Sequence, residues 1–149
     1  MDLNEEIGTS IVEMPSANNF SLAGCRSLAG CRAIVVFSGQ SDIWWLRLLR
    51  PGFRHCYAVV ECCGQWVVYN PASHKTDILL LGVYPLAVLL DRLCVRREVV
   101  VGMRVLEVQN RMAPVRPFSC VEAVKRLMGI RAPKVFTPWQ LYKYLMQIK

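Results

Sequence analysis

The stretch that most restricts the fold runs from His55 to Asn70. His55–Cys62 (HCYAVVEC) and Gln65–Asn70 (QWVVYN) are rich in β-branched and aromatic residues, with the two-residue turn Cys63-Gly64 between them. Such a pair closes as an antiparallel hairpin. Pro71 has no N–H to donate and ends the second strand. Residues equidistant from the turn lie across from each other, so Asn70 falls within two positions of His55. One short element therefore brings an imidazole and a carboxamide together at its open end.

A hairpin this apolar needs cover, and the rest of the chain supplies it. Ala33–Phe37 predicts a short buried strand, ended by Ser38-Gly39-Gln40-Ser41. Asp42–Leu49 has helical spacing, with Ser41 as its cap and Pro51-Gly52 as its stop. Lys75–Leu81 predicts a third strand of the hairpin sheet. Tyr84–Leu93 reads as an amphipathic helix with Pro85 in its first turn. Arg97–Val108 is a long apolar strand region in which Gly102 is expected to mark a bulge. Lys134–Phe136 predicts a short strand. Thr137 then caps a last helix, with Pro138 at its first position. The order gives the α+β class, an antiparallel sheet with helices packed on one side.

One segment stands out chemically. Ser119 is a good N-cap, and Glu122 three residues later completes a capping box. Cys120 is then the first helical residue. Val121, Val124, Leu127 and Met128 form the apolar stripe, Glu122, Lys125 and Arg126 are expected to face away from it, and Gly129 is the stop. A thiol in the first turn meets unpaired N–H groups and the positive end of the helix dipole, and both favour the thiolate. A nucleophilic Cys120 needs a base, and the chain has only two histidines. His74 lies in the loop Pro71–Lys75 and is expected to be solvated. His55 opens a strand, with Asn70 placed to hold its ring. The residues thus point to a Cys120–His55–Asn70 triad.

Composition narrows the classes. At 149 residues the chain is long enough for one well-buried domain, expected over 32–149. Residues 1–31 are read as a flexible or docking arm. It contains a hexapeptide, SLAGCR, repeated at 21–26 and 27–32, which is too few copies for a solenoid. The net charge is +7, but the basic residues form no run and accompany no nucleic-acid motif, so nucleic-acid binding is not expected. The seven cysteines contain no C-x-x-C pair, so neither a metal nor a cofactor is expected. The most hydrophobic stretch, Ile78–Leu90, is broken by Gly82 and Pro85 and is too short to span a membrane. The acidic, polar start is unlike a signal peptide, so synthesis in a cytosol and free thiols are expected.

The hairpin from His55 to Asn70 resembles the histidine hairpin of NlpC-type peptidases. In those proteins the cysteine helix comes first; here Ser119-Cys120-Val121-Glu122-Ala123 follows the hairpin. That order is similar to the circularly permuted branch of the papain-like superfamily, which includes lecithin:retinol acyltransferase-like proteins and bacterial amidase-like relatives. Ala33–Phe37 looks like the strand that precedes the histidine in that branch. The resemblance implies a permuted papain-like fold and a cysteine hydrolase acting on an amide or peptide, a cell-wall peptide being one candidate. It also implies an oxyanion met by the backbone N–H of Cys120, with Gln40 or Ser41 as a second donor. Cys56 and Tyr57 stand where that branch has small residues, and the Asn-Cys-Glu-His motif of the acyltransferases is absent, which turns the expectation away from lipid acyl groups. The competing expectation is a non-catalytic binding or assembly protein on the same fold, such as a phage or prophage virion component that docks through its N-terminal arm.

Overall fold

A computed structural model describes residues 27–40, 43–96, 98–107 and 117–148. The first SLAGCR copy, most of the N-terminal arm, Ser41 and the loop around Pro114 lie outside the described residues. The chain is α+β. Five strands, β1 (Arg32–Ser38), β2 (His55–Cys62), β3 (Gln65–Pro71), β4 (Thr76–Gly82) and β5 (Val99–Arg104), form an antiparallel sheet in the order β4-β3-β2-β1-β5. The helices among the described residues are α1 (Leu86–Val95), α2 (Cys120–Met128) and α3 (Pro138–Ile148). None is long and apolar enough to cross a membrane.

The two faces of the sheet are covered separately. Ala33, Val35, Phe37, Cys56, Ala58, Val60 and Val101 pack under α2 and α3, against Val121, Val124, Met128, Leu141 and Leu145. Ile34, Val36, Val59 and Trp66 pack on the other side against Leu89 and Leu93 of α1. Helices therefore lie on both faces, not on one as the element order suggested. This explains why Ala33–Phe37 is apolar at every position: β1 is an inner strand with both its faces buried. Full burial of Phe37, Trp66, Leu141 and Leu145 contributes about 1.5–3 kcal/mol for each aliphatic or phenyl side chain.

Several local expectations need correction. Asp42–Leu49 is not an α-helix over its described part; Trp44–Leu48 is a short 3-10 turn, and Trp44 and Leu48 are exposed at 77% and 88%. The fifth strand is shorter than its apolar run, and Gly102 pairs in register with Ile34 without a bulge. The irregularity falls instead at Trp66/Val67, where β3 meets β4. Lys134–Phe136 is not a strand. Its backbone groups are taken locally: Val135 N–H bonds Ala132 O, and the amides of Phe136 and Thr137 both donate to Oε1 of Gln140.

The elements that carry the site are held firmly. An aromatic cluster joins the turn before β2 to α3, with the Phe53 ring 4.8 Å from Trp139, 5.0 Å from Tyr142 and 5.6 Å from Phe37. The guanidinium of Arg50 lies 3.7 Å over the Trp139 ring. Gly39 and Gly52 pass so closely that a Cβ on Gly39 would sit 3.1 Å from Gly52 Cα, so a larger residue there would push the two segments apart by a few tenths of an ångström. Before β1, Gly30 N–H bonds Val105 O at 2.8 Å and Leu28 packs on the core, so residues 27–31 are tied to the sheet.

Candidate active site

Helix α2 begins as its sequence dictates. Ser119 is extended, its Oγ accepts the Glu122 N–H at 3.2 Å, and Cys120 is the first helical residue. The helix closes at Gly129, with φ +70°, where Ile130 N–H returns to Lys125 O at 2.8 Å. A Cβ on Gly129 would come within 2.6 Å of Leu106 O, which leaves no room for another residue. The N-terminal end of α2 thereby rests over the first residues of β2.

The side chains of Glu122 and Lys125 do not face away from the core as their charge suggested. Both residues are buried, at 8% and 4% exposure. Lys125 Nζ binds Glu122 Oε2 at 2.9 Å, Ala132 O at 3.1 Å and Val135 O at 3.0 Å, so all three ammonium donors are used. Arg126 Nε completes the cluster on Glu122 Oε1 at 3.1 Å. The ammonium supplies the partner that two carbonyls of the 130–136 connection would otherwise lack.

At the first residue of the same helix Cys120, His55 and Asn70 come together. Ala58 pairs with Tyr69 across the hairpin, and continuing that register puts Asn70 opposite Tyr57, two positions from His55. That offset suits a diagonal contact between long side chains, and Nε2 of His55 lies 2.6 Å from Oδ1 of Asn70. The oxygen can only accept, so Nε2 carries the hydrogen and Nδ1 is left for another partner. Cys120 lies close enough to the His55 ring for the two to act on each other's charge. His74, the other histidine, is exposed on the loop after β3.

The electrostatics match the geometry. A hydrogen bond from the Cys56 thiol has the largest influence on Cys120. With the bond and charge of His55 and the backbone N–H of Cys56, it outweighs burial and brings the Cys120 thiol down to about 4. Burial by itself would depress His55. The bonds to Cys120 and Asn70 and the charges of Cys120 and Glu98 more than offset it and hold the imidazole above its ordinary value of 6.5. Between about pH 4 and the raised value of His55 the pair is thiolate and imidazolium. Cys56 itself is fully buried, and burial followed by the adjacent thiolate pushes its own thiol well up.

Two further groups flank His55. The Tyr57 ring stacks at 6.4 Å from the imidazole, and its hydroxyl donates to Glu98 Oε2 at 2.7 Å. Glu98 is half-buried, and burial raises its carboxyl above the ordinary value. Of the two expected oxyanion side chains, Gln40 lies exposed just past β1, whose Ser38 pairs with His55; its backbone N–H donates to Ser38 Oγ at 3.2 Å. Ser41 is outside the described residues.

Sequence reasoning overlooked Cys56, Tyr57 and Glu98. The signal for the first two was present, since both occupy positions after the histidine where small residues were expected. Glu98 carries no such signal, because only the pairing of β5 beyond β1 brings its segment near the start of β2. Among the described residues no group of three or more His, Cys, Asp or Glu side chains is arranged to hold a metal ion. No protein-family model matches the chain, and neither a curated protein nor a solved structure matches it.

Proposed function

We propose that this chain is a cysteine hydrolase of the permuted papain-like kind, cleaving an amide or peptide bond. The observation that carries the reading is the placement of Cys120, the first residue of a capped helix, beside a His55 ring whose Nε2 is held by Asn70. Each charge has a use in acyl transfer. The Cys120 thiolate attacks the carbonyl carbon without first losing a proton. The oxyanion that forms is met by the Cys120 N–H at the start of α2, with Gln40 as the second donor. The imidazolium of His55 delivers its Nδ1 proton to the departing amine, and the neutral ring then draws a proton from the water that attacks the thioester. Asn70 keeps the ring in the tautomer and orientation that both steps need. A peptide is the substrate class, with cell-wall peptides the first to test.

The test begins with the thiol. Brief treatment with iodoacetamide at pH 5, followed by peptide mapping, is expected to label Cys120 ahead of the other six cysteines. Uniform slow labelling at that pH sinks the activated nucleophile. Reactive protein is then incubated with cell-wall peptide fragments and simple peptide amides, with Cys120→Ala as the control. Release of free amine by the parent chain and not by the variant is the expected outcome. Equal release by both overturns the reading.

A further inference from the structure

Acyl transfer uses one thiol, yet two meet at this site. Cys56 is completely buried in the cluster against which Cys120 packs, and each thiol acts electrostatically on the other. One comes from the start of β2 and the other from the start of α2, so they are far apart in sequence and are brought together only by the fold. The other described cysteines are placed elsewhere. Cys62 and Cys63 lie at the turn end of β2, Cys94 near the end of α1, and Cys31 before β1. Cys120 is only partly buried, whereas Cys56 is closed to solvent, so an oxidant that enters the site meets Cys120 first.

We propose that Cys56 is the resolving thiol of a reversible peroxide-modification site at Cys120. The Cys120 thiolate attacks a hydroperoxide, breaks its O–O bond, becomes a sulfenic acid and releases hydroxide or alkoxide. The Cys56 sulfur then attacks the Cys120 sulfur. The S–S bond forms as the S–O bond breaks, and the oxygen leaves as water with the Cys56 proton. Two electrons pass from the two thiols to the peroxide, and a dithiol reductant returns them by exchange. The disulfide stops any chemistry at Cys120 and spares it the irreversible sulfinic and sulfonic acids. The proposal needs a reactive Cys120 but no hydrolysis, so it goes beyond the functional reading.

The experiment treats the reduced full chain with hydrogen peroxide, blocks residual thiols and maps the peptides by mass spectrometry. A Cys56–Cys120 linked peptide, lost again on treatment with dithiothreitol, is the expected result. In Cys56→Ser the sulfenic acid is expected to persist long enough for dimedone to trap it, and dithiothreitol recovery of iodoacetamide labelling at Cys120 is expected to be lost after excess peroxide. The map of the unaltered chain decides the matter even if the variant folds poorly. A sulfenic or higher acid on Cys120 with no linked peptide overturns the proposal, as does linkage of Cys120 to any other cysteine. No oxidation of Cys120 also overturns it, and weakens the activated-thiolate reading, which the first two outcomes leave intact.

Discussion

Helix α2 carries two charge pairs, a partly buried one at its first residue and a buried one further along, and they are built to opposite ends. In the Glu122–Lys125 pair every ammonium donor is satisfied, by a carboxylate and two backbone carbonyls. Arg126 takes the remaining carboxylate oxygen. Nothing is left to react, and the cluster ties the 130–136 connection to the helix. In the Cys120–His55 pair the charges rest on groups that are neutral in water at pH 7, a thiol and an imidazole. The bonds that hold them charged come from one side only, the β2 and β3 side. A saturated pair fixes a loop, whereas a pair held from one side leaves the sulfur open to react, as the proposed acyl transfer requires.

The sharpest way to break this comparison is to remove the thiol. Cys120→Ala is expected to lower amide hydrolysis by on the order of 10⁴-fold while leaving the urea midpoint nearly unchanged. If the variant unfolds at much lower urea, the thiol is structural and the contrast between the two pairs disappears. The converse test removes Lys125. Lys125→Met leaves Glu122 buried with Arg126 as its only cationic partner, and is expected to destabilise the fold by about 3 kcal/mol in urea unfolding. The carboxyl of Glu122 is held below its ordinary 4.5 by Lys125 and Arg126 against the opposing effect of burial. Its contribution is therefore fully present above pH 4.5 and is lost as pH falls through the lower folded value. A Lys125→Met variant of unaltered stability would show that the cluster is dispensable.

Asn70 lies between these extremes, because it binds neither substrate nor a charge of its own. Asn70→Ala is expected to lower kcat about 10²-fold with little change in KM, through misorientation of the His55 ring. The fall should come with a shift of the alkaline limb to lower pH, since the bond to Asn70 helps hold His55 protonated. A purely structural role would reduce folded protein without moving that limb.

How much of this could be read from the sequence depends on how local each cause is. The hairpin and its turn are local, and they place Asn70 against His55 to within a diagonal neighbour. The cap at Ser119, the helix start at Cys120 and the stop at Gly129 are local too. What could not be read was set by packing between distant elements. Glu122 and Lys125 have the spacing of a solvated face, yet they are buried because the carbonyls of Ala132 and Val135 need a donor there. Lys134–Phe136 has strand composition, but Gln140 and Lys125 claim its backbone groups. A helix on each face of the sheet follows from strand order, which short connections leave open. Cys56 beneath Cys120 is of the same kind, since one thiol is on a strand and the other on a helix that crosses it.

The pH profile of the thiol sharpens the contrast further. Labelling of Cys120 is expected to rise through about pH 4 and to persist to alkaline pH, whereas turnover falls once His55 loses its proton above 6.5. Cys56→Ala removes the largest contribution to the low value at Cys120. The acid limb of both labelling and turnover should then move to higher pH. An unmoved acid limb would assign the thiolate to the helix terminus and His55 alone.

The smallest expected effect belongs to Glu98. Its charge is the last of the influences that raise His55, and it acts across the Tyr57 ring, not by a direct bond to the imidazole. Glu98→Gln keeps an acceptor for the Tyr57 hydroxyl and removes only the charge. The alkaline limb of turnover should move slightly to lower pH, with the acid limb and the rate at the optimum nearly unchanged. The sign follows from the charge: a carboxylate near the ring favours the imidazolium, so its loss lets the proton go earlier. An unmoved alkaline limb would mean that the carboxyl of Glu98, raised by burial, is already neutral where His55 titrates. The hold on the imidazolium would then rest on Asn70 and the Cys120 thiolate alone.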